Sequence, residues 1–352
     1  MVGVGLIGLG EIGQVHLAGL RESAHVGPVT VCDLDADLME RSRGDGRVAS
    51  SLDELLADDD IEVVDICLPH HLHASHALRA LAAGRHVLLE KPMAMSVAEC
   101  DQILAVAADA GRSVGVSHNQ LFYEPHRRLA GMLERGDLGD VLTIRARLAI
   151  GGKYGGWRSN PAQAGGGLLM DAGVHRVYVL EALGGPITAV TAVMDRPGSE
   201  DRYSILFEFA TGAIGTIDAT YGGPAGLFDD QIEVVGTEAI ARVAGCEALF
   251  EGFATGPALR VWRNGTWTER DSANDWAGSV KVSVDAFCAA VANGTEPPVT
   301  GADGRRIVQI IEAAYASARE GIRVEIDSSR FDLSRRSSPQ RSRISLPPEV
   351  MG

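Results

Sequence analysis

Along the first 120 residues, short apolar runs alternate with amphipathic segments on a steady rhythm. Residues 2–9 form an apolar, glycine-interrupted run that predicts a strand, and Val15, Leu17, Ala18 and Leu20 supply the apolar stripe of the helix after it. Residues 29–32 predict a second strand. Residues 51–57 read as a short helix with Ser51 as N-cap, 63–68 as a strand, and 73–83 as a helix stopped by Gly84. Residues 86–90 read as a strand, 97–110 as a helix stopped by Gly111, and 113–116 as a strand. Strand and helix in turn predict an α/β fold with a doubly wound parallel sheet, whose ligands bind beyond the carboxyl ends of the strands. Asp33, Pro69, Glu90, Lys91, His118 and Asn119 all fall at such ends.

The rhythm changes after the glycine-rich turn at 136–140. Residues 141–150, 187–194, 203–209, 213–220, 231–235 and 259–262 read as extended, many of them alternating, with turns such as Thr211-Gly212 and Asn264-Gly265 between. This predicts an α+β domain built on a large, mainly antiparallel open sheet with one covered face. The other face needs a partner, which predicts a homo-oligomer (dimer or tetramer) assembled through that sheet. The division is 1–120 for the first domain and 121–326 for the second. An Arg/Ser/Pro-rich tail at 327–352 cannot bury a core and is expected to be disordered, or else to dock on a neighbouring subunit.

The first strand leads into Gly8-Leu9-Gly10-Glu11-Ile12-Gly13 and a helix. In that setting G-x-G-x-x-G has a mechanism: Gly8 allows the tight turn, Gly10 lets backbone approach a pyrophosphate, and Gly13 lets helix and strand pack closely. The N–H groups around Glu11 and Ile12, with the helix dipole, favour phosphate. Asp33 ends the second strand about twenty residues on, where an acid meets an adenosine ribose hydroxyl and repels a 2′-phosphate, so NAD is favoured over NADP. The alternative is that Asp33 caps the next turn.

Composition narrows the classes. The chain has 352 residues, 45% hydrophobic and 22% charged, with a net charge of −15, which argues against nucleic-acid and anionic-membrane partners. The nucleotide pattern begins at the N-terminus without a basic leader, and no run approaches a membrane span, so a cytoplasmic protein is expected. Five scattered cysteines (Cys32, Cys67, Cys100, Cys246, Cys288) suggest neither disulfides nor a zinc framework.

Only three lysines occur, Lys91, Lys153 and Lys281. Arginine's guanidinium stays charged, whereas a lysine can join in proton transfer. Lys91, at a strand end before Pro92, is therefore a candidate for chemistry, the alternative being a solvated strand-end lysine. In the second half, Leu168, Leu169, Val174, Val177, Leu180 and Leu183 predict a helix after Gly165-Gly166-Gly167, closed by Gly184-Gly185-Pro186. Asp171 and His175 are four apart on one face, where the acid can orient the imidazole and raise its pKa, unless they are an ordinary surface pair. The cluster His70, His71, His73, His76 invites a metal, but adjacent histidines converge poorly and no acid or thiol stands at ligand spacing, so no metal is expected.

As a set and in order, Gly8 to Gly13, Asp33, Pro69 with His73, Glu90-Lys91-Pro92, and the triple glycine leading to Asp171 and His175 resemble the family of glucose–fructose oxidoreductase and inositol dehydrogenase (Gfo/Idh/MocA). The resemblance covers residues 1 to about 326 and includes a last helix and strand at 303–326. It implies a Rossmann domain followed by a substrate domain. It also implies an NAD(P)-dependent dehydrogenase acting on CH–OH groups, moving a hydride between nicotinamide and a secondary alcohol or ketone of a sugar, amino sugar or cyclitol. Lys91 matches the family's active-site lysine, Asp171 its substrate-binding acid and His175 its proton-transferring histidine. Leu68, Pro69, His70, His73 and Glu90 fall at its cofactor-binding positions, and Asn119, Tyr154, Trp157 and Arg158 at its substrate contacts. In the family the bond before Pro92 is often cis, which would aim Lys91. Two departures stand out: Tyr178 where an acid often follows the histidine, and Leu68 where threonine is usual. A glycoside-cleaving relative that retains its NAD, and a non-catalytic NAD-binding regulator, are the alternatives on the same fold.

Overall fold

The structure, a computed structural model, describes residues 1–152, 155–244 and 257–327. The first part runs β1 (Val2–Ile7), α1 (Glu11–Glu22), β2 (Val26–Cys32), α2 (Ala36–Ser42), β3 (Arg47–Val48), α3 (Leu52–Leu56), β4 (Val63–Ile66), α4 (His70–Ala82), β5 (His86–Glu90), α5 (Val97–Ala110) and β6 (Val114–Ser117). Six parallel strands lie in the order β3-β2-β1-β4-β5-β6, so the winding reverses between β1 and β4 and opens a crevice above the glycine turn. The doubly wound parallel sheet is as the alternation implies. Helix α4 begins earlier than its apolar stripe suggests, at His70, because Pro69 sits at the N-cap with φ −55°, where a missing N–H costs nothing. Two elements escape the pattern: α2 is short and half charged, held by the Asp35 side chain accepting from Leu38 N, and β3 has two residues.

The second part contains α6 (Glu124–Glu134), β7 (Val141–Ile150), α7 (Pro161–Ala164), α8 (Val174–Gly184), β8 (Ile187–Met194), β9 (Arg202–Phe209), β10 (Ile214–Tyr221), β11 (Phe228–Gly236), β12 (Ile240–Ala244), β13 (Leu259–Arg263), β14 (Thr266–Arg270), α9 (Trp276–Ala292), α10 (Gly301–Glu320) and β15 (Val324–Glu325). Nine strands form one sheet in the order β14-β13-β12-β11-β7-β10-β9-β8-β15. β7 and β10 run parallel and the other neighbours antiparallel. Alternation sets the faces: Tyr203, Ile205, Phe207 and Phe209 of β9 are buried, while Arg202, Ser204 and Leu206 are exposed. Asn264 (φ 52°) and Gly265 (φ 81°) make the tight turn expected of an Asn-Gly pair, and the strand beyond it, β14, closes a hairpin that alternation alone does not reveal.

Helices α9 and α10 return to the first sheet. Residue Lys281 of α9 crosses α1 so closely that a Cβ on Gly19 would lie 2.9 Å from its Cα, and the Phe287 ring fills the space over Gly115. Val280, Val284, Phe287 and Cys288 thereby join Leu6, Leu17, Leu20 and Val31 in one buried cluster. A capping box between Thr300 and Asp303 starts α10, and Gly321 at φ 68° ends it. Among the described residues no helix is long and apolar enough to cross a membrane. Lys153, Cys246 and the 327–352 tail, except Asp327, lie outside the described residues.

Candidate active site

The glycine turn is built as its spacing implies. Gly8 has φ +90°, and a Cβ there would lie 2.3 Å from the Cys67 carbonyl oxygen. A Cβ on Gly13 would stand 2.0 Å from the Gly8 oxygen, so α1 packs onto the turn only through glycine. Gly10 differs: its backbone is extended (φ −60°, ψ −172°) and nothing lies within 4 Å of a Cβ built on it. That open space, at the entrance to α1 with the N–H groups of its first turn unpaired within the helix, is a cradle that fits a pyrophosphate. Asp33 closes one side. Its Oδ2 accepts from Leu9 N at 2.7 Å and its Oδ1 from Asp35 N at 3.0 Å, so it both caps the following turn and braces the glycine loop.

Lys91 follows the last residue of β5, before a cis peptide to Pro92. Its Nζ donates to the Asp171 carbonyl at 2.9 Å and lies 3.9 Å from Asp171 Oδ1, joining the two sheet-bearing parts of the chain. Asp171 belongs to a π-helical turn, Leu169–Gly173, that leads directly into α8. Such turns concentrate at functional sites. Gly173 makes room for it, since a Cβ there would meet the Tyr203 hydroxyl at 2.1 Å. The Asp171 carboxylate is gripped from two sides: Arg158 Nε donates to Oδ1 at 3.3 Å and the Tyr221 hydroxyl to Oδ2 at 3.1 Å. Tyr221 ends β10, far away in sequence, and no local pattern marks it.

His175, one turn further, corrects one expectation. Its pKa lies well below the ordinary value, pushed down by burial first and then by the Lys91 and Arg176 charges. Burial and these cations outweigh the rise expected from an acid one turn away. The imidazole is therefore neutral near pH 7. Its Nδ1 is sealed from solvent with no hydrogen-bond partner among the described residues. Tyr178, in place of the familiar acid, instead stacks on the His118 ring at 4.3 Å between centroids. Both His118 nitrogens are likewise without partners, and burial pushes its pKa down to about 4.

The other candidates divide. Trp157 and Arg158 share a short 3₁₀ turn, Gly156–Ser159; Trp157 meets His70 edge-on at 4.5 Å and Arg158 lies over the Trp157 ring. His70 is buried with Nδ1 2.8 Å from the Ala164 oxygen, and His73 bridges the Pro92 and Leu68 oxygens at 2.8 Å each. His76 faces the Leu72 oxygen at 2.9 Å. Three of the cluster's four histidines thus spend ring nitrogens on main-chain carbonyls, and His73 ties β4's end to β5's, while His71 Nδ1 is buried without a partner among the described residues. Leu68 packs beside Gly8. Two candidates lie apart from the crevice contacts expected of them. Asn119 is buried with its amide donating to Ser279 of α9 at 2.8 Å. Glu90 has both carboxylate oxygens engaged inside the protein, with His16 at 3.1 Å and the Lys91 N–H at 3.1 Å. His16 and its second partner, Asp65, carry no sequence signal of their own, since one lies on a helix and the other mid-strand. Glu11 is exposed and Ile12 partly buried in the first turn of α1. Tyr154 lies outside the described residues.

With this geometry in view, comparison with known proteins is informative. The model of the oxidoreductase family with an NAD-binding Rossmann fold matches residues 2–118, and the family's C-terminal domain matches 126–242. The chain is 26% identical to 1,5-anhydro-D-fructose reductase of Ensifer adhaerens, over 92% of this chain and 98% of that one. It is 27% identical to inositol 2-dehydrogenase of Rhizobium meliloti (strain 1021), again over 92% and 98%. The crystal structure of GenD2 from gentamicin A biosynthesis, in complex with NAD, superposes with a TM-score of 0.79 at 30% identity, covering 93% of this chain and 96% of that one. This chain is a member of the Gfo/Idh/MocA family of oxidoreductases, and its cofactor is NAD.

Proposed function

We propose that this protein oxidises a secondary hydroxyl of a small polyol, namely a sugar, amino sugar or cyclitol, to the ketone, and catalyses the reverse. The observation that carries the reading is the meeting of Lys91, from the end of β5, with the Asp171 turn and the neutral His175 of α8. When bound, the nicotinamide accepts or supplies the hydride. The chain's own residues handle the rest. Gly8, Gly10 and Gly13, with the first turn of α1, hold the pyrophosphate, and Asp33 takes a ribose hydroxyl.

His175, kept neutral by burial and neighbouring cations, accepts the hydroxyl proton, which falls to Nε2 because Nδ1 is sealed. The Lys91 ammonium stabilises the developing alkoxide. The Asp171 carboxylate, fixed by Arg158 and Tyr221, accepts from a neighbouring substrate hydroxyl. The named relatives act on sugars and cyclitols, which supports this class. Purified protein given NAD and a panel of sugars, cyclitols and amino sugars tests it by NADH absorbance. No NADH with any member, from protein that binds NAD, overturns it.

The same reading includes a homo-oligomer. Val193, Leu206 and Ile214 stand exposed on neighbouring strands β8, β9 and β10, opposite the buried face. A second copy of the same face is the self-complementary cover such a patch needs.

A further inference from the structure

His16 lies one turn into α1, beyond the glycine turn, and is fully buried. Its Nδ1 is 2.9 Å from Asp65 Oδ2 on β4, and its Nε2 is 3.1 Å from Glu90 Oε1 at the end of β5. Ser117 Oγ of β6 lies 3.4 Å from the same Nε2. A carboxylate only accepts, so a ring with a carboxylate at each nitrogen carries both protons and is an imidazolium. The chain Asp65–His16–Glu90 then holds two negative charges and one positive, a net charge of −1 sealed behind the crevice wall. Cys67 also brings its sulfur close, and ligand-type atoms of His16, Asp65 and Cys67 lie within 4.8 Å of one another. Both imidazole nitrogens, however, are already taken by carboxylates. Burial also pushes the Cys67 thiol up to about 12, so this is a hydrogen-bonded charge chain and not a cation site.

The end of the chain that adjoins Lys91 matters. Glu90 Oε2 accepts the backbone N–H of Lys91, whose ammonium stands at the crevice. Alone, that ammonium would repel a positively charged oxidised nicotinamide and leave the neutral reduced ring untouched. We propose that the Asp65–His16–Glu90 chain sets the preference of the site for oxidised over reduced cofactor: His16 is a positioning residue that keeps Glu90 charged, and Glu90 offsets Lys91. This rests on the proposed function: the ring that exchanges hydride with the carbon whose alkoxide Lys91 stabilises lies close to that ammonium.

Asp65, on the other side of the His16 ring, loses the same partner when His16 is removed, but only Glu90 adjoins Lys91 and so bears on the cofactor. Cys67 on β4 and Cys288 on α9 are both pushed upward by burial and stay neutral. His73 on α4 and His118 after β6 are pushed downward and stay neutral as well. For Glu90 itself, burial opposes the charge, and His16, through its hydrogen bond and its own charge, overcomes it with Lys91 adding to the effect.

The test measures dissociation constants for NAD⁺ by calorimetry and for NADH by fluorescence, from pH 6 to 8.5, in wild type, H16Q and E90Q. The wild-type ratio is expected to be flat with pH. E90Q leaves Lys91 with the Asp171 carboxylate 3.9 Å away but removes one negative charge near the ring, and should move the ratio toward NADH by about tenfold at every pH. H16Q should match wild type at high pH and approach E90Q as pH falls and Glu90 takes up a proton. An E90Q ratio equal to wild type, or an H16Q ratio that tracks wild type throughout, overturns the proposal. If H16Q fails to fold, E90Q alone still decides it. None of these measurements needs a substrate, so failure of the sugar reading would be seen separately, in the turnover panel.

Discussion

Gly10 and Gly13 belong to one motif yet should fail in opposite ways when replaced by alanine. At Gly10 the backbone is one that any residue adopts, and a new Cβ meets nothing within 4 Å. Replacing glycine there trims the entropy of the unfolded chain by about 0.4–1 kcal/mol and loses about 0.5–1 kcal/mol as a helix cap, so the two nearly cancel and stability should change by no more than about 0.5 kcal/mol. The methyl group, however, fills the cradle. A pyrophosphate forced outward loses its short contacts with the α1 N–H groups, and a loss of two such charge-assisted bonds, at about 1.5 kcal/mol each, weakens NADH binding about 100-fold. At Gly13 the methyl would stand 2.0 Å from the Gly8 carbonyl oxygen, which cannot rotate away. The helix must then shift, at a cost of about 1–3 kcal/mol in stability, with binding lost as a consequence. Thermal unfolding read beside NADH fluorescence titration separates the two. A Gly10→Ala protein that binds NADH as wild type does, or one that unfolds as readily as Gly13→Ala, would refute the assignment of Gly10 as the phosphate cradle.

Other outcomes follow from the same geometry. His175→Ala should lower turnover about 10²- to 10⁴-fold, the usual worth of a general base, while NADH affinity stays within about twofold of wild type; equal loss of both would point to misfolding. Lys91→Ala should reduce turnover and raise KM together, and a fully active variant would remove Lys91 from the chemistry. His118 ionises near 6.5 when unfolded and at about 4 in place, so folding is opposed increasingly as pH falls between those values, reaching about 3 kcal/mol. His118→Phe should therefore flatten the fall in stability over that range in denaturant melts; an unchanged slope would mean that this ring is not held neutral. Leu206→Asp, on the exposed sheet face, should lower the mass seen by light scattering to that of one chain if the face pairs with itself, and leave it unchanged otherwise.

Much of this was legible because it is local. The glycine turn, Asp33 and the Glu90-Lys91-Pro92 run sit at strand ends that alternation locates, and Asp171 and His175 are neighbours on one turn. What was not legible is set by distant partners. Arg158 and Tyr221 reach the Asp171 carboxylate from a loop and from the end of β10, and burial, followed by the nearby Lys91 and Arg176 charges, depresses the His175 pKa where spacing alone suggested a rise. Asn119 and Glu90 fall at strand ends facing the crevice in sequence terms, yet Ser279 and His16 draw their side chains inward. The π-helical turn is invisible to a 3.6-residue stripe, because the same apolar residues are buried by either winding. Helix α9, rich in Val, Ser and Ala, lacks the charged face that would announce it, since both α1 and the 3₁₀ turn at Asn119–Phe122 pack against it.

That last helix has a bearing on how the protein is made. The ribosome releases the Rossmann strands first, but Leu6, Leu17, Leu20 and Val31 have no cover on one side until Val280, Val284 and Phe287 emerge some 160 residues after β6 is complete. Through that interval the nascent chain carries a greasy, half-finished layer. Synthesis of residues 1–120 alone should therefore yield insoluble material, and a chaperone would find its binding surface on α1.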